Sequence, residues 1–130
     1  MQESSDFFLS DAFARETGIE LLAVSPGRAR VKMAITERHK NSHGTVHGGA
    51  IFTLADTAFA AASNSHGIPA AAINATISYI QAARSGILYA DATEFSRNPK
   101  LAVYDVRVTD ENGGNIALFQ GMVYRKTPRQ

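Results

Sequence analysis

The chain has 130 residues, thirteen basic against twelve acidic side chains, and no cysteine. That length suits one domain with its own core, and the missing cysteines exclude a disulfide framework, a cysteine-rich zinc site, an iron–sulfur cluster and a thiol nucleophile. A formal net charge of +1 argues against nucleic acid as partner, and 45% apolar residues are too many for a disordered chain.

Met1 to Asp6 includes Glu3 and Asp6 and no basic stretch, so no secretory leader is expected and a cytoplasmic location is. Phe7, Phe8, Ala12 and Phe13 form a helical apolar stripe, which predicts one helix over Ser5–Thr17, ended by Gly18. Ile19–Val24 reads as a strand and Ser25-Pro26-Gly27 as a turn. In Arg28–Ile35 the residues Ala29, Val31, Met33 and Ile35 alternate with Arg28, Arg30 and Lys32, the pattern of a half-buried strand in an antiparallel hairpin. Thr36–Gly49 is polar and glycine-rich and reads as loop. A helix is expected from about Gly48 to Ser65, broken by Gly67 and Pro69.

Four strand-length segments follow: Ala72–Ile80, Ile87–Phe95, Leu101–Thr109 and Ile116–Tyr124. Ser96–Lys100 reads as a turn between the second and third. Glu111-Asn112-Gly113-Gly114 makes a strong hairpin between the third and fourth. The order predicts an α+β protein, a single domain over residues 1–130, with an antiparallel sheet of about six strands and one long helix. The uncharged runs Ala50–Ala55 and Thr57–His66 fall short of the ~17–25 residues that span a bilayer, so no membrane partner is expected. Asn74-Ala75-Thr76 matches the glycosylation triplet, read as coincidence without a leader.

The central helix is the informative element. Ala50–Ala62 carries one charge, Asp56, and two other polar residues, Thr53 and Thr57. A helix this apolar must be covered on most sides, and Ala55, Ala58, Ala60, Ala61 and Ala62 admit close neighbours. An aspartate there is costly. It is either half of a buried pair, with an arginine or Thr53, or a catalytic base. At the helix start, His47-Gly48-Gly49 leaves backbone N–H groups open to a ligand oxygen, an oxyanion-type donor or else a plain glycine hinge. Gly48 and Asp56 stand about 12 Å apart along one helix. Two copies antiparallel about a two-fold axis near Phe52 would bring Gly48 of one to Asp56 of the other. His39, His43 and His47 are spaced by four, but Asn41, Ser42, Gly44 and Thr45 make this a poor helix, so no metal site is expected. His47 is expected to orient the loop, and His66 to sit at the helix end, near the negative end of the dipole. No serine elbow is legible.

From Asn41 through Ala60 the residues NSHGTVHGGAIFTLADTAFA closely resemble the hotdog-fold acyl-CoA thioesterases, above all the phenylacetate-degradation (PaaI) branch. With the element order, the likeness extends from Phe7 to Arg125. The resemblance implies an antiparallel sheet wrapped around one long central helix. It implies hydrolysis of acyl-coenzyme A thioesters by homodimers or dimers of dimers (homotetramers), with no cofactor beyond the substrate's own coenzyme A. By that likeness Asp56 is general base or nucleophile, the Gly48 N–H polarises the carbonyl, Asn41 positions water or substrate, and His47 supports the loop. Two hydroxyls of related branches are replaced here by Ala60 and Ala72. Substrate contacts are expected among Gly49, Phe52, Phe59, Asn74 and Tyr79, with Arg97, Lys100 and Arg125 for the phosphates. A non-catalytic ligand-binding protein of the same fold and a dehydratase are the alternative readings.

Overall fold

The computed structural model describes residues 7–126. Six antiparallel strands, β1 Ile19–Ser25, β2 Arg28–Ala34, β3 Ala70–Tyr79, β4 Ile87–Arg97, β5 Leu101–Thr109 and β6 Asn115–Arg125, form one sheet in the order β1-β2-β4-β5-β6-β3. Helix α1 spans Ala12–Glu16 and helix α2 spans Gly48–Ser63. The sheet curves around α2, which touches all six strands. This is the hotdog arrangement expected from the sequence.

The N-terminal helix expected over Ser5–Thr17 is broken in two. Residues 7–9 are helical, and a new helix, α1, begins after Asp11. Ser10 and Asp11 cause the break, because short polar side chains compete for the backbone. Ser10 Oγ donates to Phe7 O at 2.9 Å, and the Asp11 carboxylate caps α1 by accepting the Ala14 N–H at 3.0 Å. Ser5 and Asp6 lie outside the described residues. The 36–49 segment, expected as loop, contains a 3₁₀ turn at Glu37–His39.

β2 keeps the predicted alternation, with Ala29, Val31 and Met33 buried. These meet Leu88, Ala90 and Ala92 of β4, and across the sheet Val106, Val108, Phe119 and Val123, to build the wall against which α2 lies. α2 contributes Ile51, Leu54, Ala55, Ala58, Phe59 and Ala62. Small residues on both layers let the helix approach closely. At Gly121 of β6 a Cβ would come 2.6 Å from Phe59 Cζ, so only glycine fits under that ring.

β3 passes to the far edge and pairs with β6, not with its sequence neighbours. Eight of its ten residues are exposed, Ile73 at 57%. It carries neither proline nor charge, the devices that ordinarily blunt an edge strand. The α2 strip turned from the sheet is also partly open at Gly49, Phe52, Thr53, Asp56 and Ala60. No helix among the described residues is long and apolar enough to cross a membrane.

Candidate active site

The first N–H groups of α2 are almost all committed. His47, in extended conformation, is the cap: its Nδ1 accepts the Gly49 N–H at 2.8 Å. Its carbonyl accepts Ala50 N–H at 2.9 Å and Ile51 N–H at 3.2 Å. Among the described residues, the Gly48 N–H has no intramolecular partner. The helix therefore presents one free donor, at its positive end. Tyr79 of β3 donates to Gly48 O at 3.1 Å, and a Cβ at 48 would sit 3.3 Å from its ring.

Asn41 shapes the loop that leads into this helix. Its Oδ1 accepts the His43 N–H at 2.9 Å, the Thr45 N–H at 3.3 Å and the Thr45 hydroxyl at 3.2 Å. Its Nδ2 has no partner among the described residues and is left as a donor. An isolated bridge between Lys40 and Val46 closes the loop at its base.

Asp56 lies two turns along α2, half-buried on the outer strip. Its carboxylate has neither ion pair nor hydrogen bond among the described residues, and Thr53 donates instead to Gly49 O at 2.8 Å. Of the two readings of Asp56, the buried pair with an arginine or Thr53 is not formed among the described residues. Burial, and secondarily the charge of Asp11 at the α1 cap, push its pKa above the ordinary aspartate range. A half-desolvated carboxylate without partners holds its proton more tightly than an exposed aspartate does.

A cleft of about 410 Å³ runs beside the helix start, lined by Phe13, Thr17, Arg38, His47, Gly49 and Thr53 among others. Gly48, Gly49, His47 and Tyr79 thus converge at one end of α2. Phe52 is half-buried beside them, its ring edge-on to Phe119 at 5.4 Å.

Other candidates fall elsewhere. Phe59 is core, packed between Tyr104 and Phe119 on the sheet side of α2 and only 1% exposed. Asn74 is paired with Met122 beyond the bulge in β3. Alternation puts it on the face of the sheet away from α2. Arg97 and Lys100 stand at the other end of α2. Arg97 donates to His66 Nδ1 at 2.8 Å and lies 3.8 Å from Glu94. Arg125 is buried and donates to Asn98 O at 2.9 Å, so it is not free to meet phosphate as expected.

His66 does follow the helix end, but its Nε2 is held by Glu94 at 2.8 Å, and the buried Tyr104 hydroxyl donates to the same carboxylate at 3.1 Å. Burial would raise the Glu94 pKa. The bonds from His66 and Tyr104, with the Arg97 charge, outweigh it and hold the carboxyl below its ordinary value. Burial and Glu94 push the Tyr104 hydroxyl up. This network joins residues far apart in the chain and has no local sequence signal. Among the described residues no group of three or more metal-ligating acids and histidines occurs.

Residues 43–117 match the thioesterase superfamily model. The chain is 35% identical to the acyl-coenzyme A thioesterase PaaI of Escherichia coli, over 95% of this chain and 89% of that protein. It is 30% identical to human acyl-coenzyme A thioesterase 13, over 80% of this chain and 77% of the human protein. The solved structure of the E. coli PaaI protein superposes with a TM-score of 0.93, covering 97% of this chain and 92% of that one.

Proposed function

The chain belongs to the thioesterase superfamily, and on that premise we propose that it hydrolyses acyl-coenzyme A thioesters at a site shared between two copies. The observation that carries the proposal is the pairing of one free helix donor, Gly48 N–H, with one unpartnered carboxylate, Asp56. Asp56 takes a proton from water as the water oxygen attacks the thioester carbonyl. The oxyanion that forms accepts the Gly48 N–H, a donor worth about 10²–10³ in rate. Collapse breaks the carbon–sulfur bond, and the thiolate of coenzyme A recovers the proton from Asp56. Direct attack by Asp56 to form an anhydride, opened by water in a second step, is the other route open to the same carboxylate. Asn41 Nδ2 holds the water or the carbonyl, and His47 holds Gly49 so that Gly48 stays free. Gly49, Phe52 and Tyr79 border the acyl group, and in the antiparallel pair the turn with Lys100 that serves the coenzyme A phosphates is the one from the second copy, since Lys100 stands at the far end of its own α2.

Gly48 and Asp56 of one helix are about 12 Å apart, so each site needs two protomers. An antiparallel pair of α2 helices, with unprotected β3 edges meeting, completes two sites and covers the open strip. The assembly is a homodimer that pairs again into a homotetramer, one domain per chain, working in the cytoplasm without a cofactor. An arylacetyl-CoA substrate, as in phenylacetate degradation, is part of the proposal, supported by the likeness to the E. coli protein.

Complementation tests the shared site. Asp56→Asn removes the base. Gly48→Pro removes the donor at a first-turn position that proline tolerates. Each variant alone is expected to lose at least about 10²-fold in thiol release. Unfolded and refolded together, they regain roughly a quarter of wild-type activity, because half the random dimers hold one intact site. No recovery with dimers reformed refutes the shared site. Wild-type release across acetyl-, octanoyl-, phenylacetyl- and hydroxyphenylacetyl-CoA tests the arylacetyl preference, and no release from any of them refutes the thioesterase reading.

A further inference from the structure

His39 has no part in the chemistry proposed above, yet it lines the cleft beside the helix start and ties two segments to the start of α2. It is only 5% exposed. Its Nδ1 accepts the Thr36 N–H at 2.9 Å, which puts the neutral ring's proton on Nε2. Nε2 lies 2.6 Å from the carbonyl of Thr17, the residue that ends α1, and donates to it. The ring therefore clamps both the entry to the 3₁₀ turn and the end of α1. Arg38 reinforces the second contact by donating to Glu16 O at 3.1 Å.

The clamp matters because of where the 3₁₀ turn ends. The backbone carbonyl of His39 accepts the His47 N–H at 2.6 Å. His47 in turn uses its ring on Gly49 and its carbonyl on Ala50 and Ile51. The peptide between His47 and Gly48, which carries the free N–H, is thus oriented from one side by the helix and from the other by His39. A donor that drifts by about 1 Å from the developing oxyanion can lose about 10²-fold in rate.

We propose that His39 is a positioning residue for the oxyanion donor: its side chain locks the 3₁₀ turn between Thr36 and Thr17, so that its carbonyl fixes His47 and aims the Gly48 N–H at the thioester oxygen. The proposal rests on the reading of Gly48 as that donor. It assigns the His39 side chain no contact with substrate. It also gives the α1 end a task, since Thr17 is the anchor against which the ring is held.

The test uses the full chain, phenylacetyl-CoA turnover and a spectroscopic readout of the bound carbonyl. His39→Phe keeps a buried ring and removes both bonds. It is expected to lower kcat about 10- to 100-fold with KM changed less than about three-fold. His39→Gln, whose amide can still donate to Thr17 O, is expected to recover most of kcat. Should His39→Phe not fold, His39→Asn, which can accept from Thr36 but is too short for Thr17, takes its place. In an Asp56→Asn background, the infrared band of bound [1-13C]phenylacetyl-CoA is expected to shift to lower frequency through Gly48. Adding His39→Phe is expected to abolish most of that shift. If the shift is present in Asp56→Asn and survives His39→Phe, the role of His39 is refuted while the Gly48 donor stands. If Asp56→Asn shows no shift, the Gly48 donor falls and the proposal with it. Unchanged kcat in His39→Phe, or a His39→Gln variant as slow as His39→Phe, also overturns it.

Discussion

Asp56, the base proposed above, departs from the local rules of an apolar helix. Its pKa is raised by burial first and by the Asp11 charge second, and Asp11 also caps α1. Asp11→Asn keeps an N-cap side chain while removing the charge. The acid limb of the kcat/KM profile is therefore expected to move to lower pH, and an unmoved limb would show that Asp11 does not act on the base. Stability runs the opposite way. The folded chain holds the Asp56 proton to higher pH than the unfolded chain does. Between the ordinary value of 3.8 and the raised one, stability therefore falls as pH rises. Asp56→Asn is expected to melt above wild type at pH 7, with the gap closing toward the ordinary aspartate value, as differential melting curves would check. Asp56 was legible as an anomaly because one charge stood in an apolar run. Asp11 was not, since nothing local marks an N-cap residue as the neighbour of a carboxylate 45 positions on.

At the scale of elements, the α2–β6 contact sets how closely helix and sheet approach. Phe59 seals it, with Gly121 directly beneath the ring. Gly121→Ala is expected to cost about 1–3 kcal/mol through overpacking. Pairing it with Phe59→Leu should recover part of that loss, a non-additivity that denaturant titration of the single and double variants measures. The helix, β5 and the 111–114 hairpin followed from periodicity and turn chemistry. Phe59 is core and not the substrate contact expected, because a buried aromatic and a pocket wall have the same signature at helical spacing. Phe59 meets Tyr104 and Phe119, partners 45 and 60 positions further along the chain, which no local pattern marks. The predicted N-terminal helix is interrupted for a different reason: its apolar stripe runs through Ser10 and Asp11, and their backbone bonds override it.

For the whole molecule, the exposed β3 edge and the open strip of α2 leave apolar surface that a second copy would cover. Ile73→Lys introduces a charge on that edge at a site exposed in the protomer, so the fold should persist while association is lost. Light scattering is expected to report monomers, and thiol release should fall with the dimer. A dimeric, active Ile73→Lys protein would exclude the β3 edge as the seam.

Sequence by itself determined the parts that local chemistry controls. These are six strand-forming segments in order, a long apolar helix, the glycines and histidine at its start, and the isolated Asp56. Tertiary structure alone decided that β3 crosses to the far edge, that Arg125 is buried, and that His66, Glu94, Arg97 and Tyr104 form one network. It alone decided that His39 anchors the loop to α1, and that Gly48 is the N–H left over once its neighbours are bonded. The physical reason is the range of the forces. Turn chemistry, capping and periodicity act within a few residues, whereas strand order and hydrogen-bond accounting depend on which distant groups the fold brings into contact.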